Sequence, residues 1–276
     1  MKVVRDIGVT LDIVFGESSD PGKLRTNNED SMGSFIPRSL QKARSHGYLF
    51  AVADGVGGHE LGEVASATVI EVLIKEFAAA QESTLLAGLL PRIVQFANSA
   101  VHDLMLTAAG RGKRIATTLV VCALRHNQAV VSHAGDSRCY LVRDGIINAI
   151  TQDHTWVNEQ RKLGVISELE MAESESRHVL VRSLGPELFI PVDTTSLSVM
   201  AGDVIVLCTD GLHGSISDQD IARIVSQDKN PSEVAQELVA SAVDADGSDN
   251  TSAQVIRIRS VEKVGMYRGR PYFLPG

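Results

Sequence analysis

Residues 115–150 read IATTLVVCALRHNQAVVSHAGDSRCYLVRDGIINAI. Four short runs rich in β-branched residues follow one another there: Ile115–Leu124, Gln128–His133, Arg138–Val142 and Ile146–Ile150. Each is bounded by Gly, Asp or Asn, the signature of strands joined by turns. Asp144-Gly145, set between Leu141-Val142-Arg143 and Ile146-Ile147, is a two-residue hairpin signal. Consecutive strands with no helix long enough to cross over must pair antiparallel, which argues against a parallel, doubly wound sheet.

Working outward, further strands are expected at Gly47–Ala53, Asp203–Cys208 and Ser252–Arg259. Helical spacing of apolar residues marks Glu63–Ala80 and Leu85–Met105, the latter with Pro91 as a start or kink. Asp218–Ser226 has Ser217 or Asp218 as its N-cap, and Pro231–Val243 has Asn230 as cap and Pro231 in the first turn. Helices packed on antiparallel sheets give an α+β fold. Residues 1–260 read as one domain. The last segment, VEKVGMYRGRPYFLPG, turns basic and aromatic and reads as an appended tail over 261–276, disordered by default.

The chain has 276 residues, 34 acidic against 26 basic side chains, and a formal net charge of -8. Such an acid excess, with no Lys/Arg run, argues against nucleic acid or an anionic membrane as the main partner. No apolar stretch approaches the ~18 residues of a spanning helix, and the N-terminus MKVVRDIGVTLD lacks the pattern of a secretory signal. Cys122, Cys139 and Cys208 each sit in an apolar run without a CxxC pair, as buried reduced thiols of a cytoplasmic protein do.

Two segments repeat one pattern, a buried apolar strand that stops at Asp-Gly: YLFAVADG at Asp54 and VIVLCTDG at Asp210. Asp144 has a returning strand after it; these two are followed by VGGHELGE and LHGSISD, which suit a hairpin poorly. Two more acidic clusters stand in loops, Arg25-Thr26-Asn27-Asn28-Glu29-Asp30 and Asp246-Gly247-Ser248-Asp249-Asn250. Each alone reads more readily as a solvated turn than as a functional site. Together, several carboxylates without Cys or His pairs favour a hard cation such as Mg²⁺ or Mn²⁺ over zinc.

In chain order, R25-T-N-N-E29-D30, D54-G-V-G-G-H59, A116-T-T-L-V, G135-D-S-R138, D153-H154, R182-S-L-G185, C208-T-D210-G-L and D249-N250 resemble the bacterial branch of the metal-dependent protein phosphatases, the PPM or phosphatase 2C-like family. The resemblance spans nearly the whole chain. It implies a β-sandwich of two antiparallel sheets flanked by helices, with two metal ions, Mn²⁺ or Mg²⁺, in a cleft at one end. It implies that Asp54 bridges both metals, that the Gly55 carbonyl contacts one, and that Asp210 and Asp249 complete the first shell. Glu29 and Asp30 would act through waters, and Arg25 would clamp the substrate phosphate. Two cations about 3.5–4 Å apart activate a shared water for in-line attack on phosphorus, and Arg offers phosphate a planar bidentate fork. The implied activity is hydrolysis of phosphoserine and phosphothreonine in proteins, opposing a serine/threonine kinase; a monomer is expected.

Val56 stands where eukaryotic members carry a histidine proton donor, so His59 is the candidate acid, with a role in starting the next helix as the competing reading. The segment AAGRGKRIA over 108–116 holds no acid, so a third metal in the family's usual form is not supported. Asp136 and Arg138 read as a turn with an internal ion pair, and Asp153-His154 as a strand-end brace. Residues 155–178 match the family's flap beside the active site, an element that affects substrate choice. Two other functions are open: a catalytically weak module that binds a phosphoprotein, and a phosphatase for a small phosphate ester.

Overall fold

A computed structural model describes residues 11–56, 61–107, 110–167, 170–171, 174, 176, 178–262, 264–267 and 270–273, with side chains described through residue 262. Its strands form two antiparallel sheets. One has the order β1 (Asp12–Asp20), β11 (Thr251–Ser260), β10 (Val204–Cys208), β7 (Arg138–Arg143), β8 (Ile146–Ala149). The other runs β2 (Asp30–Phe35), β3 (Tyr48–Val56), β5 (Leu119–Arg125), β6 (Gln128–Ala134), β9 (Asp193–Ser198), with β4 (Ala116–Thr117) paired to the end of β3. The run at 115–150 therefore supplies five strands, its first expected strand being split at Thr118. Asp144 and Gly145 take left-handed φ of 51° and 76°, which closes the β7–β8 hairpin.

The core lies in three layers. Phe50, Val52, Val120, Ile205, Leu207 and Ile256 fill the space between the sheets, where Phe50 meets Phe15 edge to face at 5.1 Å. Helices α2 (Gly62–Ala79) and α3 (Leu86–Leu106) bury Val69, Leu73, Phe77, Leu90 and Val94 against one sheet. On the other side, α6 (Asp218–Val225) and α7 (Pro231–Ala245) bury Ile221, Val225, Leu238 and Val239. Ser217 and Asn230 cap these two helices by accepting from the N–H of Asp220 and Ser232. Three further helices among the described residues are short: α1 (Leu40–Ser45), α4 (Trp156–Lys162) and α5 (Asp210–His213).

The architecture is the α+β sandwich the sequence implies. Three strands of the two large sheets, β1, β2 and β9, carry no clear sequence signal, and the tail expected to be disordered holds two more. In the tail, Val264–Tyr267 (β12) pairs antiparallel with Arg270–Phe273 (β13). No helix among the described residues is long and apolar enough to cross a membrane.

Phe50→Ala removes a fully buried ring from the inter-sheet layer and is expected to lower unfolding free energy by about 3–5 kcal/mol in urea titration. A loss below about 1 kcal/mol would contradict this packing.

Candidate active site

Strand periodicity decides which acids meet. Along β3, Leu49, Ala51 and Ala53 face the helices while Phe50 and Val52 face the other sheet, so Asp54 continues the inter-sheet face. β2 pairs with Asp30 opposite Asp54 and Met32 opposite Val52, which gives Asp30 the same face. From the second sheet, β10 ends at Cys208; Thr209 Oγ1 then donates to Asp30 Oδ2 at 2.9 Å, and Asp210 opens α5. Asp249 and Asn250 directly precede β11. Four strand ends, two from each sheet, thus bring acids to one end of the sandwich.

They enclose a cleft of about 220 Å³ lined by Arg25, Glu29, Asp54, Gly55, Asp136, His178, Asp210, Asp249 and Asn250. Six of the residues singled out from sequence meet there, and Asp30 lies close enough for Asp210 and Asp249 to act on its ionisation. His59 lies outside the described residues.

β3 does not stop at Asp54 as expected; Gly55 and Val56 continue it by pairing with Thr117 and Ala116. Asp54 is held on both backbone sides. Its N–H donates to Thr118 Oγ1 at 3.0 Å, and its carbonyl accepts from Thr118 N–H and Thr117 Oγ1, each at 2.8 Å. Gly55 N–H donates to Glu29 O at 3.1 Å. A side chain at Gly55 would collide with the Gly62 carbonyl, so glycine lets the start of α2 close on the cleft.

The acids are out of balance with their surroundings. Burial, outweighing hydrogen bonds from Ser252 and Thr209 and reinforced by Asp210 and Asp249, raises the Asp30 pKa to about 7. Burial followed by the charges of Asp30 and Asp210 pushes Asp54 well above the carboxylate range. Burial pushes Asp210 up as well, but hydrogen bonding to His178 and the nearby imidazoles outweigh it, so its net shift is downward. Oδ1 of Asp30 and Oδ1 of Asp210 are buried without a hydrogen-bond partner. Crowded, oxygen-only and partly unpartnered carboxylates fit hard divalent cations.

Two further features differ from the sequence reading. Arg138 forks onto Asp153 at 2.8 and 2.7 Å rather than pairing with Asp136. Asp136 instead lines the cleft, its pKa raised to about 8 by burial and then by Asp210. The other missed residue is His178, whose Nδ1 lies 3.5 Å from Asp210 Oδ2. The only available signal for His178 was its place at the end of the flap segment.

Among the described residues, one group of three metal-capable side chains has its ligand atoms within 4.8 Å of one another: His133, His154 and Asp193. His154 Nδ1 accepts from Gly135 N–H at 3.1 Å, and Arg182 Nη1 lies 2.9 Å from His154 Nε2 and 2.7 Å from Asp193 Oδ1. With a guanidinium already in place, this group is a strut fastening the flap's end to β6, which agrees with the brace expected for His154.

The family model described as protein phosphatase 2C matches residues 26–245. The chain belongs to that family. A phosphatase 2C fold also accounts for its likeness to the serine/threonine phosphatase stp of Listeria innocua, 30% identical over 91% of this chain and 96% of the relative. The S. agalactiae serine/threonine phosphatase superposes with a TM-score of 0.82 at 27% identity, over 90% of this chain and 100% of that one. The catalytic domain of the serine threonine protein phosphatase PstP, solved in complex with 2 manganese ions, gives 0.77 at 32% identity, over 91% and 100%.

The raised pKa values of Asp30 and Asp136 set a pH dependence in chelator. Their protonated forms favour the folded state, so stability is greatest below the ordinary carboxylate pKa and falls as pH rises towards about 7 and about 8. Melting temperature in EDTA is therefore expected to drop between about pH 5 and pH 8 beyond the change seen with Asp30→Asn. An equal pH slope in the two proteins would refute the assignment.

Proposed function

We propose that this cleft hydrolyses phosphoserine and phosphothreonine esters of proteins around two divalent cations, Mn²⁺ or Mg²⁺. The reaction class is that of the phosphatase 2C family, serine/threonine protein phosphatase. The observation that carries the cation assignment is the pair of buried, unpartnered carboxylate oxygens on Asp30 and Asp210 within the acid cluster. Asp54, central on the inter-sheet face, would hold both cations together with the Gly55 carbonyl, Asp210 and Asp249, and Glu29 and Asp30 would hold water around them. Bound divalent cations supply Lewis acidity and an activated water.

The chain's own residues do the rest. Arg25, on the loop before β2, presents its guanidinium at the cleft, where it donates to Asp249 Oδ2 at 2.8 Å and can reach a phosphate oxygen. Carboxylates held by strand ends on two sheets keep the reacting centre fixed. His59 remains the sequence-based candidate for protonating the leaving oxygen. Val56, next to the acids and exposed, leaves the rim open to an extended protein segment. The binding-module reading loses ground because no acidic ligand is missing.

The substrates are phosphoproteins; a counteracting kinase, a cytoplasmic setting and a monomeric state complete the reading. Three buried free thiols support the reducing compartment.

Turnover of an aryl phosphate and of a phosphothreonine peptide should appear with Mn²⁺ and vanish in chelator. Asp54→Asn and Asp210→Asn should each lower kcat by about 10³-fold or more. Near-native turnover in EDTA would sink the two-cation reading. Arg25→Ala should lower kcat/KM by about 10- to 100-fold, since it removes a charge-assisted fork to phosphate.

A further inference from the structure

The Asn250 side chain is buried, and each of its polar atoms ends on a different part of the cleft wall. Oδ1 accepts from Glu29 N–H at 2.8 Å. Nδ2 donates to Pro21 O and to Asn27 O, each at 2.9 Å. The Asn250 N–H donates to Asp249 Oδ1 at 2.8 Å. Pro21 and Asn27 bracket the loop that carries Arg25, so one amide holds that loop at two points while its carbonyl oxygen holds the backbone of Glu29. Arg25 closes the circuit through Asp249 Oδ2. Other fastenings of the loop, such as Lys23 N–H on Gly247 O at 2.6 Å and Gly22 N–H on Asp20 Oδ1 at 2.8 Å, make no hydrogen bond to Glu29 or Asp249, although Gly22 packs against the Asp249 backbone.

We propose that Asn250 is the positioning residue that couples the phosphate clamp to the cation shell, so that phosphate and divalent cation each strengthen the binding of the other. This rests on the roles given above to Arg25 and the acids. Asp249 is shared between the Arg25 guanidinium and a cation. A cation drawing on Asp249 weakens its hold on Arg25 and frees the fork for phosphate; a phosphate drawing Arg25 away leaves the carboxylate to the cation. Thermodynamic linkage makes the two effects equal. An exposed ion pair contributes little by itself. The exchange is effective only if the Arg25 loop is held at a fixed distance from Asp249, and Asn250 supplies that fixed distance.

The test is Mn²⁺ binding to the full chain, followed by electron paramagnetic resonance with and without inorganic phosphate. In the wild type, phosphate should tighten Mn²⁺ binding by about fivefold or more. In Asn250→Ala, and in Arg25→Gln as the control that removes the clamp itself, phosphate should change Mn²⁺ affinity by less than about twofold. Because Asn250→Ala could unfold, Asn250→Asp is tested beside it. It keeps the shape and the Glu29 acceptor but turns an oxygen against the Pro21 and Asn27 carbonyls, and it should lose the coupling too. A folded Asn250 variant with wild-type coupling would overturn the proposal, as would a wild type that binds Mn²⁺ equally with and without phosphate. A wild type that binds no Mn²⁺ would instead overturn the cation assignment on which it rests.

Discussion

Asp30 and Asp54 sit directly opposite each other on neighbouring antiparallel strands, on the face that looks into the sandwich. Like charges in that arrangement repel, and the interior around them screens poorly. The fold adds to the repulsion, bringing Asp210 and Asp249 from the facing sheet and Asp136 from the turn before β7. The stability lost at this end of the sandwich is borne by three apolar layers elsewhere. The remaining imbalance is the source of the site's affinity for positive charge.

This constraint explains why β3 is the best-supported strand of its sheet. It lies between β2 and β5 and gains β4 at its far end, so Asp54 cannot drift away from its neighbours. Thr117 and Thr118, which stand where β4 gives way to β5, commit their hydroxyls and N–H groups largely to the Asp54 backbone and to Ser137. The A116-T-T-L-V motif is thus a cradle for one aspartate. On the facing sheet, the Arg138–Asp153 fork extends through Tyr140 to Asp218 and ties β7 to the start of α6.

Much of this was legible in the sequence because it depends on local pattern. The strands at 115–150 are short, β-branched and separated by turn residues, and Asp144-Gly145 can be recognised from its neighbours alone. The acids of the cleft were recognisable through their motifs. What escaped depends on partners distant in the chain. β2, DSMGSF, and β9, DTTSLS, are polar and partly exposed, and are strands only because β3 and β6 offer them edges. Asp136 and Arg138 are two residues apart and of opposite charge, which suggested a pair; in β7 Arg138 meets Asp153, just beyond β8, and Asp136 is left to the cleft. The extension of β3 past Asp54 needed the short strand β4, which comes from about sixty positions downstream.

The chain's three cysteines lie in β5, β7 and β10, in the walls of the sandwich. Burial raises the thiols of Cys122 and Cys208 to about 12, and pushes Cys139 up as well. None lines the cleft, and none is a thiolate near neutral pH. Phosphate-ester chemistry in this protein therefore has no sulfur nucleophile to lose. An oxidant that silences an enzyme by attacking a reactive thiolate in its cleft finds no cysteine lining this one.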